Sequence, residues 1–318
     1  MRKLGRILLW GLPILLVLYI VIGSGIIYAV LDRLLVVGKV SDLASVGQPS
    51  ETPFDLGFRG DPQVAFQLPF ETVQVPTPLG DAEAWLIPAG GGGTTWAVFV
   101  HGIAGVREGG YRYVPTLHEA GIPTLLITYR NDPGGPRSEE GVYAFGLTEW
   151  PDVDAAVSFA LARGATRILL IGDSMGGALV GEFLRHSTQT DRLAGVILDA
   201  PALSFRMLTE GLVRNVGLPF ASTLSTLATS LFSVTHGVRL MDSESLGTVA
   251  AFPGPMLLFH GSGDRIVTVA ITDRLVAERP GTTTRLRTHA DHLQSQRENP
   301  ALYEWTLRTF VESIATAP

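Results

Sequence analysis

The segment Gly172-Asp173-Ser174-Met175-Gly176-Gly177 is where residue types and spacing point most directly to chemistry. A serine hydroxyl becomes a useful nucleophile only when a base takes its proton, and it must stand clear of the backbone to reach a carbonyl carbon. The pattern G-x-S-x-G is weak as a string of letters. Here an apolar run over 167–171 precedes it and an Ala/Leu/Val-rich stretch over 175–185 follows, so the serine falls on a strand-to-helix turn with small residues where chains pass closely. A glycine turn that merely packs a helix on a sheet would use the same glycines and leave the serine idle.

A nucleophilic serine at such a turn requires an acid and a histidine further along, in the order Ser, Asp/Glu, His. Asp264 lies in His260-Gly261-Ser262-Gly263-Asp264-Arg265, directly after an apolar run, where loops at strand C-termini gather reactive groups. Its plainer duty would be to cap the next helix. Asp199, in Leu198-Asp199-Ala200-Pro201, is a second candidate acid whose ordinary role is a local hydrogen bond at its turn. For the base, Thr288-His289-Ala290-Asp291-His292-Leu293 offers His289 and His292. The trio His289, Asp291 and His292 lacks the helical H-E-x-x-H arrangement, so a zinc site is not the reading taken.

Val98-Phe99-Val100-His101-Gly102-Ile103 ends a strand in His-Gly. The backbone N–H groups of Ile103 and Met175 are the expected donors to a developing oxyanion, with His101 supporting the loop. His118, His186, His236 and His260 read as surface or packing residues. The chain has neither G-x-G-x-x-G between a strand and a helix nor G-K-[ST], and no cofactor is implied.

These groups need a scaffold that brings strand ends together. Short apolar runs at 96–100, 123–128, 167–171, 195–198, 256–259 and 284–287 read as buried parallel strands, preceded by an antiparallel pair over 71–75 and 84–87. Helical stretches at 113–120, 150–163, 175–185, 271–277 and 301–313 alternate with them, which predicts an α/β fold with a mostly parallel sheet and helices on both faces. The interval 201–253 is too long for an ordinary crossover and reads as a helical cap insertion.

The chain has 318 residues, a net charge of −6 and no cysteine. That length holds one sizeable domain, the charge argues against nucleic-acid binding, and disulfides, thiolate metal sites and cysteine nucleophiles are excluded. Residues 7–30 carry no charge and span roughly 36 Å as a helix, enough to cross a bilayer. Residues 1–33 are therefore expected to be a single-pass anchor, 34–69 a Gly/Pro-rich tether and 70–318 the catalytic domain. Arg2, Lys3 and Arg6 before the apolar run favour a cytoplasmic N-terminus and an extracytoplasmic domain. A cleaved signal peptide would have a shorter apolar region with a small-residue cleavage site.

From residue 70 onward the chain resembles the α/β-hydrolase superfamily, most of all its bacterial members related to serine aminopeptidases and monoacylglycerol-lipase-like esterases. Thr128-Tyr129-Arg130-Asn131-Asp132, Gly146-Leu147-Thr148-Glu149-Trp150, the segment around Ser174 and His260-Gly261-Ser262-Gly263-Asp264 carry the likeness. The resemblance implies an eight-stranded sheet and a Ser-Asp-His triad of Ser174, Asp264 and His292. It selects His292 over His289, because in that group the base precedes a Ser and an Asn/Asp-Pro-x-x-Tyr stretch, matched here by Ser295, Asn299-Pro300 and Tyr303. Serine at the turn excludes the dehalogenase pattern. The expected substrate is a small-molecule ester, lipid-like given the anchor and the apolar cap, with peptide or thioester cleavage and a non-catalytic scaffold as the alternatives.

Overall fold

A computed structural model describes residues 2–39, 50–90 and 92–315. Eight strands form one sheet: β1 Glu71–Thr77, β2 Gly80–Ile87, β3 Thr95–Val100, β4 Thr124–Ile127, β5 Arg167–Asp173, β6 Leu193–Asp199, β7 Met256–Gly261 and β8 Thr283–Thr288. Their order is β1-β2-β4-β3-β5-β6-β7-β8. The β1-β2 and β2-β4 pairs are antiparallel and the rest parallel, as the two opening runs and the later apolar strands predict.

The pleat explains how continuous apolar runs cover both faces. On β3 and β5, Val98, Val100, Ile168 and Leu170 join one core, while Ala97, Phe99, Leu169 and Ile171 join the other. The helices are α1 Arg2–Leu35, α2 Pro62–Phe66, α3 Val114–Glu119, α4 Trp150–Ala162, α5 Met175–His186, α6 Phe205–Asn215, α7 Ala221–His236, α8 Leu246–Ala251, α9 Ala270–Glu278, α10 Ser295–Glu298 and α11 Pro300–Ala315. Val153 and Val157 of α4, Leu179 and Phe183 of α5 and Ile271 of α9 bury against the first core. Leu117 of α3 and Leu307 and Val311 of α11 bury against the second. The interval 201–253 contains α6, α7 and α8.

The N-terminal helix is longer than its charge-free run, and Gly11–Leu35 is long and apolar enough to cross a membrane. Its last turns join the domain. Leu31 and Leu35 are buried in the first core, and the Tyr143 N–H donates to the Leu35 carbonyl at 2.9 Å. Of the expected tether, residues 40–49 lie outside the described residues. Residues 50–69 carry aromatic side chains that have a place on the domain: Phe58 and Phe66 pack edge-on against Tyr111, with ring centroids 6.0 and 5.2 Å away.

Candidate active site

β5 ends at Asp173 and α5 begins at Met175, leaving Ser174 alone in the turn. Its φ of 53° lies where L-residues rarely sit, and neighbouring glycines make the turn possible. A Cβ on Gly176 would collide with the Val100 carbonyl, and one on Gly177 would come within 2.5 Å of the Pro201 Cβ. The Ser174 N–H donates to the Asp199 carbonyl at 2.9 Å, so β6 also holds the turn.

The loop after β8 brings His292 to this serine. His292 Nε2 lies 2.9 Å from Ser174 Oγ, and Nδ1 lies 2.7 Å from Asp264 Oδ2. The three residues come together across 118 positions of chain between the serine and the histidine. His289 turns elsewhere, with Nδ1 3.3 Å from Ser262 Oγ, and Asp291 pairs with Arg265, whose Nε donates to Oδ2 at 2.9 Å.

Asp264 makes two sets of contacts, through different oxygens. Oδ1 accepts the backbone N–H groups of Ile266 and Val267 at 2.8 Å each, capping the turn, and leaves Oδ2 for His292. His260, expected to be surface or packing, is fully buried with Nε2 3.3 Å from Asp264 Oδ2. Burial alone would raise the Asp264 carboxyl, but hydrogen bonds from His260 and His292 outweigh it and hold the group well below the usual carboxylate range. Asp264 therefore stays charged beside the imidazole. Asp199 is a different kind of acid. It is buried, approached by the Tyr303 hydroxyl at 3.4 Å, and burial together with nearby Asp173 pushes it up to about 7 despite the opposing pull of Arg112.

Beneath the turn, Asp173 accepts the Tyr113 hydroxyl at 2.7 Å and pairs with Arg112. Arg112 Nη1 also donates to the Leu293 carbonyl at 3.2 Å, so one buried guanidinium ties the serine turn to the histidine loop. Sequence reasoning missed Arg112, because an arginine in a glycine-rich loop looks like any surface cation until its partners are seen.

The His101-Gly102 loop closes on the same point. A Cβ on Gly102 would lie 3.1 Å from that of Ser174, which sets how near the loop comes. His101 Nε2 lies 2.9 Å from Asp132 Oδ2, its ring stacks on Tyr129, and the Tyr129 hydroxyl donates to the Gly102 carbonyl at 3.1 Å. Burial would lower the His101 imidazole, but the Asp132 carboxylate prevails and raises it. Among the described residues the Ile103 N–H has no backbone acceptor, and the Met175 N–H belongs to the first turn of α5, whose donors have no acceptor within the helix.

Ser174 and His292 open onto a cavity of about 700 Å³. Leu31, Leu34 and Leu35 of α1 line it together with Phe145, Phe205, Leu208 and Leu212. Arg265, Asp291 and Arg297 stand on its polar side.

No family model matches. Two uncharacterised proteins of Mycobacterium tuberculosis, from strains CDC 1551 and H37Rv, are each 31% identical over 205 residues, 61% of this chain. The chain spans 61% of the length of these curated relatives. Among solved structures, an esterase of Pyrococcus furiosus matches with a TM-score of 0.62 and 17% identity over 84% of this chain and 99% of its own. A thermophilic esterase of Thermogutta terrifontis matches at 0.53 and 19% identity, over 77% of this chain and 100% of its own. An esterase of Exiguobacterium antarcticum matches at 0.55 and 13%, over 76% and 100%. With the sheet order and helix placement above, these likenesses establish that the chain adopts the α/β-hydrolase fold.

Proposed function

We propose that the chain is a membrane-anchored serine hydrolase that cleaves carboxylic esters through an acyl-enzyme. The observation that carries this reading is the continuous contact Ser174 Oγ, His292 Nε2, His292 Nδ1, Asp264 Oδ2, with steps of 2.9 and 2.7 Å on either side of the imidazole. His292 takes the proton as Ser174 Oγ attacks the ester carbonyl carbon, and Asp264 stabilises the imidazolium that forms. The negative charge that develops on the carbonyl oxygen is met by the N–H groups of Ile103 and Met175. His292 then protonates the leaving alkoxide, and a water activated by the same imidazole releases the acid and restores Ser174.

The ester reading also draws on the esterases that share the fold and on the apolar lining of the cavity, which suits an acyl chain better than a peptide backbone with its obligatory hydrogen bonds. Each buried CH₂ of such a chain would add about 0.8 kcal/mol of binding. Within the superfamily we assign it to the group resembling serine aminopeptidases and monoacylglycerol-lipase-like esterases. α1 is the anchor, with its N-terminus cytoplasmic and the hydrolase domain outside; a reporter fused after Pro318 should behave as extracytoplasmic.

Fluorophosphonate labelling of the intact protein tests the class: Ser174 should be modified, and absence of labelling would leave only a non-catalytic scaffold. A p-nitrophenyl ester series from acetate to laurate, run beside aminoacyl anilides, tests the substrate. Rising kcat/KM toward medium chains is expected, a steady fall from acetate would remove the acyl pocket, and selective anilide cleavage would make the enzyme a peptidase.

A further inference from the structure

The cap helix α7 does not lie over the sheet alone. It runs alongside α1 in the same direction: the Tyr19 hydroxyl donates to the Pro219 carbonyl at 2.9 Å, a Cβ on Gly23 would come 3.1 Å from Leu224 Cδ2, and His236 Nε2 lies 3.0 Å from Asp32 Oδ1. From Tyr19 to Asp32 the two helices accompany each other for roughly 20 Å.

Their sequences match along that length. Residues 216–235 are twenty consecutive positions without a charged side chain, beside a stretch of α1 that has none between Arg6 and Asp32. An ionisable side chain returns in both helices at one level, where Asp32 meets His236. The face of α7 turned to α1 and the domain is built from Ala221, Leu224, Ser225, Ala228, Thr229 and Phe232, mostly small residues of the kind that let membrane helices approach. The opposite face presents Phe220, Leu227, Leu231 and Val234, exposed at 55%, 47%, 45% and 83%. Ile22, Ile26 and Val30 continue this apolar flank on α1. Several hydroxyls of α7 are satisfied within the helix: Ser225 donates to the Ser222 carbonyl at 3.1 Å, Ser233 to that of Thr229 at 2.9 Å and Thr235 to that of Leu231 at 3.0 Å. The charges closest to the α6-α7 turn, Arg214 and Glu210, pair with each other at 3.0 Å.

Depth follows from arithmetic. A bilayer core of about 30 Å needs about 20 helical residues, and α1 cannot place Arg6 inside it. Even a span that starts directly after Arg6 puts Tyr19 about 10 Å below the surface. Whatever packs at Tyr19 goes with it. We infer that the α6-α7 turn and the outer face of α7 are immersed in the bilayer beside α1, so that the cap is a membrane-contacting element rather than a water-facing lid. Leu31, Leu34 and Leu35 of α1 and Leu208 and Leu212 of α6 line the cavity of Ser174, so helices adjoining this flank also wall the site. The substrate class that fits is an amphiphilic ester resident in the bilayer, which reaches Ser174 without crossing water.

The inference rests on α1 being a membrane helix, and the experiment separates the two ideas. The chain has no cysteine, so single cysteines at Leu15, Leu227, Val234 and, as a water-facing control across the sheet, Trp305 give one label each. Each full-length variant is labelled with bimane and reconstituted in phosphatidylcholine–phosphatidylglycerol vesicles containing nitroxide-labelled phospholipid. Quenching at 227 and 234 comparable to that at 15, with 305 unquenched, is the expected result. Quenching at 15 alone would overturn the immersion of α7 and leave the anchor standing, and no quenching at 15 would overturn both. A second readout addresses the substrate: Leu227→Asp with Leu231→Asp should lose hydrolysis of a long-chain ester held in vesicles and keep hydrolysis of soluble p-nitrophenyl butyrate. Equal loss on both substrates would overturn the bilayer route.

Discussion

Ser174 holds a backbone conformation that costs roughly 1–3 kcal/mol, and the close contacts of Gly176 and Gly177 supply the packing that keeps it there. On the proposed mechanism, Ser174→Ala and His292→Ala should each lower kcat by on the order of 10⁶, and the double variant should be little worse, because the groups act as one unit. Single-turnover measurements on a p-nitrophenyl ester decide this; additive losses would mean that the two do not act together. Asp199 offers a different test, through pH. Burial raises its carboxyl to about 7, so between about pH 4 and 7 the folded chain holds a proton that the unfolded chain has released. The unfolded state is then the one with fewer protons, and stability falls as pH rises through that window. Asp199→Asn removes the titration, so its stability relative to the wild type should grow from about pH 4 to about pH 7, read from urea midpoints. A constant difference across the window would show that Asp199 does not titrate there.

The elements are legible in the sequence wherever burial repeats with a period. The runs at 96–100 and 167–171 coincide with β3 and β5, and the stretches at 150–163 and 175–185 with α4 and α5, because each has an apolar pattern that only one geometry can bury. The positions of Ser174 and Asp264 after strands followed from the same logic, whereas the choice of His292 over His289 came from family resemblance, since two histidines three residues apart on a loop carry no periodic signal. Three residues that hold the site were not legible in role. Arg112, Tyr129 and Glu149 act through partners far away in the chain or through backbone groups that no residue pattern encodes. Glu149 is the clearest case: fully buried, it accepts the N–H groups of Ala144 at 2.5 Å, Gly146 at 3.0 Å and Thr148 at 3.3 Å, shaping the loop that presents Phe145 to the cavity. Burial raises its carboxyl even so. Glu149→Ala leaves three donors without their acceptor and should destabilise the fold by about 3 kcal/mol or more, measured by urea unfolding. A loss below about 1 kcal/mol would mean that water replaces the carboxylate.

At the scale of the whole molecule, α1 packs against the folded domain, through Gly23 on Leu224 and Leu31 and Leu35 in the core. Gly23→Val should therefore lower stability by about 1–3 kcal/mol through overpacking, although the position lies far along the chain from the sheet. Leu224→Ala in the same chain should recover part of the loss, seen as coupling in thermal unfolding in detergent micelles. Additive effects would mean that the two helices do not stay packed on each other in micelles. The distance along the chain between Ser174 and His292 has a consequence of another kind. The histidine follows β8, an edge strand whose one sheet neighbour among the described residues is β7, and both are made long after the serine. A nascent chain leaving the ribosome carries Ser174, the proposed nucleophile, well before His292, its proposed base. On the proposed mechanism, the serine stays chemically mute until β8 zips onto the sheet, so an unfinished chain would pass ester-bearing molecules without attacking them.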